Sequence, residues 1–168
     1  SSLKKQVNNK IYLKNLELYL KTTISAFLLT IGIGILTGLI YINYTTGMSS
    51  TGTLEQYKGS VVEQYDIPEK FPKDFESMIL TTHEHIISFS IITLILSTIF
   101  SFNSIITGRI KLFFMLEPFI SILLTFSSMW LIRYFSNIFV YLLMPSSILM
   151  YVCWYFMIAI SLIDLNKK

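Results

Sequence analysis

The two histidines of this chain stand two positions apart, at His83 and His85, and Glu84 lies between them. Imidazole nitrogens bind metal ions and haem iron, and they exchange protons near neutral pH. Adjacent helix positions are rotated by about 100°, so the two rings diverge by about 200° and one helix cannot direct both to one metal ion. No third histidine is present, and the single cysteine, Cys153, lies far along the chain in an apolar stretch. We therefore predict no metal site built by this chain alone.

The histidines have two other interpretations, and the sequence leaves both open. Either His83 or His85 can be an axial ligand of haem b if a methionine or a partner subunit supplies the second ligand, and either can contact a quinol headgroup. Alternatively, both are interfacial side chains that form hydrogen bonds with Arg133, with loop carbonyls or with a partner.

Glu117, which is followed by Pro118, is the second residue that could carry chemistry. It lies about 9 Å inside an apolar stretch if that stretch is helical, and a carboxylate at that depth is costly unless it is paired or functional. The functional interpretation is a proton-relay or quinone-site carboxylate. The structural interpretation is a carboxyl that faces serine or threonine hydroxyls of a neighbouring helix. Both interpretations stay open.

Membrane-spanning helices must position these residues. The chain of 168 residues is 53% hydrophobic and only 14% charged, whereas about a quarter of the residues of soluble domains are charged. Long apolar stretches predict four spans at about residues 22–44, 84–102, 112–134 and 138–165. We predict an all-α integral membrane protein with these four transmembrane helices in one bundle over residues 22–165.

Two segments lie outside the predicted spans. Residues 1–21 are basic and carry apolar residues at helical spacing, which predicts an amphipathic helix on the cytoplasmic membrane surface. Residues 45–82 form one long outer loop, although the second helix should begin near Asp74, well before the hydrocarbon.

Within the first span, Gly34 and Gly38 form a GxxxG pair, which lets another helix approach closely.

The basic residues set the predicted topology. They lie before the first span, between the second and third, and after the fourth, which places both termini in the cytoplasm. The net charge of +3 is concentrated near the N-terminus and indicates topology rather than nucleic-acid binding. We expect the bacterial inner membrane, with the mitochondrial inner membrane as the less favoured alternative.

This topology predicts that further candidate residues share the outer membrane level with the histidines. Arg133 is the one basic residue at the outer end of a span, and Glu84 could pair with it. The other candidates at this level are Tyr41, Tyr44, Trp130 and Asn137.

Three segments resemble those of small four-span bacterial membrane proteins that accompany respiratory cytochromes. They are Phe-Pro-Lys-Asp-Phe-Glu-Ser-Met at residues 71–78, Thr-His-Glu-His at residues 82–85 and Met-Trp-Leu-Ile-Arg-Tyr at residues 129–134. The resemblance implies a membrane used for electron transport. The chain lacks the paired transmembrane histidines of cytochrome b subunits.

We therefore expect a non-catalytic, accessory membrane subunit of a respiratory or other energy-transducing complex. Its partners would be the lipid bilayer and other membrane subunits, including a cytochrome. The first alternative is a stand-alone redox protein that binds haem or a metal through His83 or His85. The second is a small proton-coupled transporter that uses Glu117, although the two similar halves of many transporters are not evident in the sequence.

Overall fold

The computed structural model describes residues 11–61 and 67–167, and all regular structure in these residues is helical. The helices are α1 (Leu18–Thr46), α2 (Ser50–Lys58), α3 (Phe75–Ser101), α4 (Gly108–Tyr134) and α5 (Val140–Leu165). Short 3-10 turns precede α1 at Leu13–Asn15 and α5 at Asn137–Phe139. Helices α1, α3, α4 and α5, the last with its preceding turn, are long and apolar enough to cross a bilayer. The predicted all-α membrane bundle is confirmed.

Local capping explains where two of the long helices begin and end. The side chain of Asp74 accepts a hydrogen bond of 2.6 Å from the Ser77 amide, so α3 begins at Phe75. α1 ends at Thr46, and the next residue, Gly47, has a φ of +59°, a conformation that glycine adopts without strain. At about 1.5 Å per residue, the 27 residues of α3 extend for about 40 Å, beyond a hydrocarbon core of about 30 Å.

The long helices are arranged as a three-helix core with α1 on its outside. α3, α4 and α5 pack on one another, whereas α1 packs mainly on α5 and α2. The antiparallel order gives the bundle two ends. We call the end with Leu13, the α3–α4 connection and the last turn of α5 the terminal end, and the end with α2 and the start of α3 the loop end.

Trp154 lies at the centre of the core and is almost completely buried. Its indole N–H donates a hydrogen bond of 3.0 Å to the Thr93 hydroxyl on α3. Phe89 and Tyr151 contact it edge-to-face, with ring centroids 5.1 and 5.5 Å away. This cluster joins α3 and α5 at mid-depth.

The contact between α1 and α5 uses Gly32 and only one glycine of the predicted pair, Gly38. A Cβ at Gly38 would lie 3.8 Å from the Tyr151 hydroxyl, and the Tyr155 hydroxyl donates a hydrogen bond of 3.1 Å to the Gly32 carbonyl. A Cβ at Gly34 would meet no atom of the described residues within 4 Å. Only Gly38 of the GxxxG pair therefore faces another helix of this chain.

The segment before α1 differs from the amphipathic helix predicted for residues 1–21. Residues 1–10 lie outside the described residues, and residues 11–17 form only the short 3-10 turn Leu13–Asn15. The reason is tertiary contact: Leu13 is buried, and its amide donates a hydrogen bond of 2.9 Å to the Phe102 carbonyl at the end of α3.

The predicted loop of residues 45–82 contains α2 and the first turns of α3. The Ser49 hydroxyl caps α2 by accepting a hydrogen bond of 3.0 Å from the Gly52 amide. Thr53 is buried, and Leu54 and Tyr57 pack against the core. α2 thus covers the loop end of the bundle.

Candidate functional site

The His-Glu-His segment lies within α3, and its side chains point in different directions. His83 and Glu84 are exposed on the outer surface of the helix, and His85 is half-buried. The two imidazoles do not converge, which agrees with the geometry expected for positions two apart on a helix. Among the described residues, no group of three or more His, Cys, Asp or Glu side chains is arranged to hold a metal ion.

His85 faces an aromatic environment inside the bundle. Its Nδ1 lies 2.9 Å from the Thr81 carbonyl oxygen, and because a carbonyl can only accept, Nδ1 carries the proton. The ring contacts Phe89 and Phe126, with centroids 5.2 and 5.7 Å away. In the neutral ring Nε2 then keeps its lone pair, so this atom is the one that could accept a hydrogen bond or ligate a partner's group.

Trp130 ties α4 to α3 rather than forming a site with the histidines. Its indole N–H donates a hydrogen bond of 2.8 Å to the Thr82 hydroxyl, which itself donates to the Met78 carbonyl. The ring also contacts Phe75 edge-to-face at 5.4 Å and stacks on Tyr134 at 5.7 Å. These contacts fix the first turns of α3 against α4.

Arg133 has partners other than the predicted Glu84. Its Nε donates a hydrogen bond of 2.8 Å to the Lys73 carbonyl, and its guanidinium lies 5.1 Å from the centre of the Tyr134 ring. Arg133 is thus level with the residues that precede α3, whereas Glu84 lies about 14 Å further along that helix. In the structure Arg133 therefore bonds to the Lys73 carbonyl rather than to Glu84.

The remaining loop-end candidates contact α2 and its surroundings. Asn137 accepts a hydrogen bond of 2.6 Å from the Lys58 ammonium. Tyr44 is exposed on α1, and so is Tyr41, which is close enough to Tyr57 to affect its ionisation. Burial, with a further contribution from Tyr41, raises the pKa of Tyr57 to about 12. The structure therefore divides the predicted outer cluster into several small contacts and does not assemble it into one pocket.

Glu117 has the environment that most needs a chemical explanation. The side chain is 7% exposed, and one carboxylate oxygen, Oε1, accepts a hydrogen bond from the Ser121 hydroxyl one turn along α4. The other oxygen, Oε2, is buried and accepts no well-aligned hydrogen bond in the described part of the chain, although the Cys153 thiol of α5 lies close to the carboxyl. An unsatisfied buried polar group costs about 1–3 kcal/mol, so burial of this carboxyl lowers the stability of the bundle.

Glu117 and Ser121 line a groove of about 760 Å³ between α4 and α5. Its walls are formed by exposed aliphatic side chains of both helices, with Pro145 and Ser146 on the α5 side and Arg109 at the terminal end. The Thr125 and Ser146 hydroxyls bond to each other at 2.9 Å, so they satisfy each other. The Cys153 thiol of α5 also lies close to the Glu117 carboxyl.

Sequence reasoning gave little attention to a second buried carboxylate, Asp164, at the end of α5. Its two oxygens accept hydrogen bonds from the Ser104 amide and hydroxyl, at 2.8 and 2.6 Å. Asn103 next to it caps the α3–α4 connection by accepting from the amides of Ile105 and Ile106. A carboxylate in the last turn of an apolar helix resembles an ordinary interfacial charge, and nothing in the sequence signals these partners.

A model of a family of transmembrane helical domains, Aq_1264_TM, matches residues 47–168. The match covers most of the chain, and the chain belongs to this family. The matched region comprises α2 to α5, and α1 precedes it. Comparison with curated proteins and with solved structures finds no match.

Proposed function

We propose that this chain is a non-catalytic membrane subunit of a larger complex and that α1 provides the surface on which a helix of another subunit packs. The observation that carries this proposal is Gly34. Glycine in the middle of a helix is about 1 kcal/mol less favourable than alanine, and a Cβ at Gly34 would have no neighbour within 4 Å. No contact within the described chain needs a small residue there, whereas an approaching helix would.

The exposed surface of α1 has two different flanks on either side of its contact with α5. One flank, which we call the small flank, has exposed small or hydroxyl residues at helical spacing: Thr23, Ala26, Thr30, Gly34 and Thr37. The other, the bulky flank, has exposed aliphatic residues: Leu29, Ile33, Leu36 and Ile40. Lipid chains adapt to bulky side chains, and close helix packing in membranes favours small ones.

The hydroxyls of the small flank would keep their hydrogen bonds when another helix covers them. Thr30 donates a hydrogen bond of 2.9 Å to the Ala26 carbonyl, and Thr37 donates one of 3.0 Å to the Ile33 carbonyl. The position of α1 before the family-matched region also supports the proposal, since a peripheral helix added to a common domain suits attachment to a partner.

The complex that we propose is respiratory or otherwise energy-transducing, with other membrane subunits and a cytochrome as partners. The resemblance of residues 71–78, 82–85 and 129–134 to proteins that accompany respiratory cytochromes supports this choice. His83 and Glu84 face outward from α3, so they are the groups through which the subunit would contact a partner's haem or a quinol.

We further propose that both termini lie in the cytoplasm of a bacterial cell and that the loop end faces outward. The basic residues at the terminal end support this orientation. Three of the basic residues at the loop end have local acceptors, which accounts for their presence there: Lys58 bonds to Asn137, Lys70 to the Thr45 carbonyl and Arg133 to the Lys73 carbonyl.

The test is purification of the tagged full chain from mildly solubilised native membranes, followed by a native gel and identification of the co-migrating subunits. We expect Gly34→Leu to lower recovery of the partner subunits by about tenfold, which corresponds to roughly 1.4 kcal/mol. Leu36→Ala on the bulky flank is the matched control, and it should leave recovery unchanged.

Two results would contradict the proposal. In one, the wild-type chain runs as a small band without other subunits, or as a dimer of itself. In the other, Gly34→Leu and Leu36→Ala reduce co-purification equally, which would indicate a general loss of stability.

A further inference from the structure

The groove between α4 and α5 is apolar along its length and has a basic residue at its terminal end. Its volume of about 760 Å³ is within the range of roughly 300–1,000 Å³ that ligand sites occupy. Glu117 adds little polar surface to it, because Oε2 is buried and Oε1 accepts a hydrogen bond from the Ser121 hydroxyl. The groove is lined by exposed leucine and isoleucine side chains: Leu112, Leu116, Ile120, Leu142 and Leu149.

Arg109 is the basic residue at the terminal end of this groove. Its side chain is exposed and forms no hydrogen bond or ion pair with the residues that the structure describes, whereas Lys58 and Arg133 at the loop end have acceptors within the chain. The first turn of α4 has no acidic residue, and its N-cap, Thr107, makes no side-chain hydrogen bond. The positive end of the helix dipole therefore adds to the charge of Arg109.

We propose that this groove binds an acyl chain of an anionic phospholipid whose headgroup phosphate is bound by the guanidinium of Arg109. A guanidinium can donate two parallel hydrogen bonds to a phosphate. From Arg109 to Leu124 the groove follows α4 for about 22 Å, whereas one leaflet of the hydrocarbon core is about 15 Å thick. An acyl chain whose phosphate lies at Arg109 therefore has groove beneath it over its whole length.

The headgroup supplies the preference for this lipid. An acyl chain has apolar surroundings both in the bilayer and in the groove, so it gains only packing contacts. A headgroup with a net negative charge is attracted to Arg109 and to the start of α4. The ammonium of a zwitterionic headgroup finds no acidic side chain in the first turn of α4, and Asp164 at the same end is fully buried and bonded to Ser104.

This proposal is independent of the subunit contact proposed above. The groove lies on α4 and α5, whereas the proposed helix contact uses the small flank of α1. The test uses the full chain alone in nanodiscs, so it gives the same result whether or not the chain has partner subunits.

The experiment places a tryptophan in the groove and measures its quenching by phospholipids brominated at the middle of their acyl chains. Leu116 is a suitable position, because it lines the groove, is 51% exposed and lies about 10 Å from Arg109 along α4. Fluorescence of the wild-type chain gives the background from Trp130 and Trp154.

Leu94 on α3 provides the matched control. It is 59% exposed and does not line the groove. It lies at a similar depth to Leu116, because Ser97, less than one turn further along α3, donates a hydrogen bond of 3.0 Å to the Met115 carbonyl. Leu116→Trp and Leu94→Trp both place the ring among lipid chains, so both variants should unfold like the wild type.

The nanodiscs contain increasing fractions of brominated phosphatidylglycerol in ordinary phosphatidylcholine. We expect Leu116→Trp to reach half of its maximal quenching at an about fivefold lower fraction than Leu94→Trp, the preference that one basic residue supplies near a membrane surface. Adding Arg109→Gln to Leu116→Trp should remove this difference, and Arg109→Lys should keep most of it. Lys14→Gln, which removes an exposed charge at the same end outside the groove, should have no effect.

Four outcomes would overturn the inference. Equal half-quenching fractions for Leu116→Trp and Leu94→Trp would show that the groove holds no particular lipid. Brominated phosphatidylcholine that quenches Leu116→Trp as readily as the anionic lipid would remove the role of headgroup charge. An unchanged preference in the Arg109→Gln variant would place the phosphate elsewhere. A photo-reactive residue at position 116 that crosslinks to another membrane protein in native membranes would make the occupant a partner's helix.

Discussion

Replacing Asp164 with alanine should strongly destabilise the bundle, although this residue lies at the very end of α5. The carboxylate is fully buried at 0% exposure and joins α5 to the α3–α4 connection through the amide and hydroxyl of Ser104. One of these hydrogen bonds comes from a backbone amide, which cannot turn to another acceptor. The substitution therefore removes two hydrogen bonds and leaves a donor without a partner.

The expected magnitudes follow from these contacts. Hydrogen bonds to charged groups contribute about 1.5–3 kcal/mol each, so Asp164→Ala should lower the free energy of unfolding by about 3–5 kcal/mol. Asp164→Asn keeps one acceptor oxygen and should cost about 1–3 kcal/mol. Ser104→Ala keeps the backbone donor and removes only the hydroxyl, so its cost should be similar to that of Asp164→Asn.

The assay is reversible unfolding in mixed micelles with increasing SDS, followed by far-ultraviolet circular dichroism. A double-mutant cycle of Ser104→Ala with Asp164→Asn should give a coupling energy above about 0.5 kcal/mol, as expected for groups in contact. If Asp164→Ala unfolds within about 0.5 kcal/mol of the wild type, water replaces the lost contacts. The account of Asp164 as an anchor would then be wrong.

Two further changes have clear expected results. Burial raises the pKa of Tyr57 to about 12, whereas an unfolded tyrosine titrates near 10. The neutral side chain therefore contributes stability below about pH 10, and this stability is lost as the pH rises through about 12. Tyr57→Phe should reduce this loss and remove one late-titrating tyrosine from the absorbance at 295 nm; unchanged titration would contradict the burial of this ring. Gly38→Leu should cost about 1–3 kcal/mol of stability in the same SDS assay, because the added atoms would meet the Tyr151 hydroxyl. Gly34→Leu should not lower stability, since its Cβ would meet no described atom within 4 Å and leucine is the better helix former; equal costs at Gly34 and Gly38 would contradict the observed side of α1 that contacts α5.

The four spans could be predicted because membrane insertion depends on long apolar stretches, which a sequence displays directly. The start of α3 was also predictable, since Asp74 follows Pro72 and precedes a stretch free of helix breakers. In contrast, α2 is short and begins with Ser-Thr-Gly-Thr, residues of modest or low helix propensity, so the sequence predicts a loop there. Its stability depends on the Ser49 cap and on Leu54 and Tyr57 against the core, which are tertiary effects.

The site could be predicted only in part, for a reason specific to membrane proteins. Lipid and protein interior are both apolar, so hydrophobicity does not indicate which face of a transmembrane helix is covered. Packing alone determines that α1 lies at the periphery. It also determines that Gly38 faces α5 whereas Gly34 does not. Among the residues predicted at the outer level, Trp130 bonds to Thr82 and Arg133 to Lys73, and these contacts depend on side-chain packing that the sequence does not display.

The two buried carboxylates of this chain allow a comparison within one molecule. Asp164 is fully buried, and both its oxygens are matched by donors of Ser104. Glu117 is nearly as buried, and the Ser121 hydroxyl donates to one of its oxygens, while the carboxyl also lies close to the Cys153 thiol of α5. A thiol is a weaker donor than a hydroxyl or a backbone amide. The two carboxyls therefore differ in the strength of their donors, and Cys153→Ser, which places a stronger donor on α5, should raise the stability of the bundle if Glu117 lacks a strong second partner.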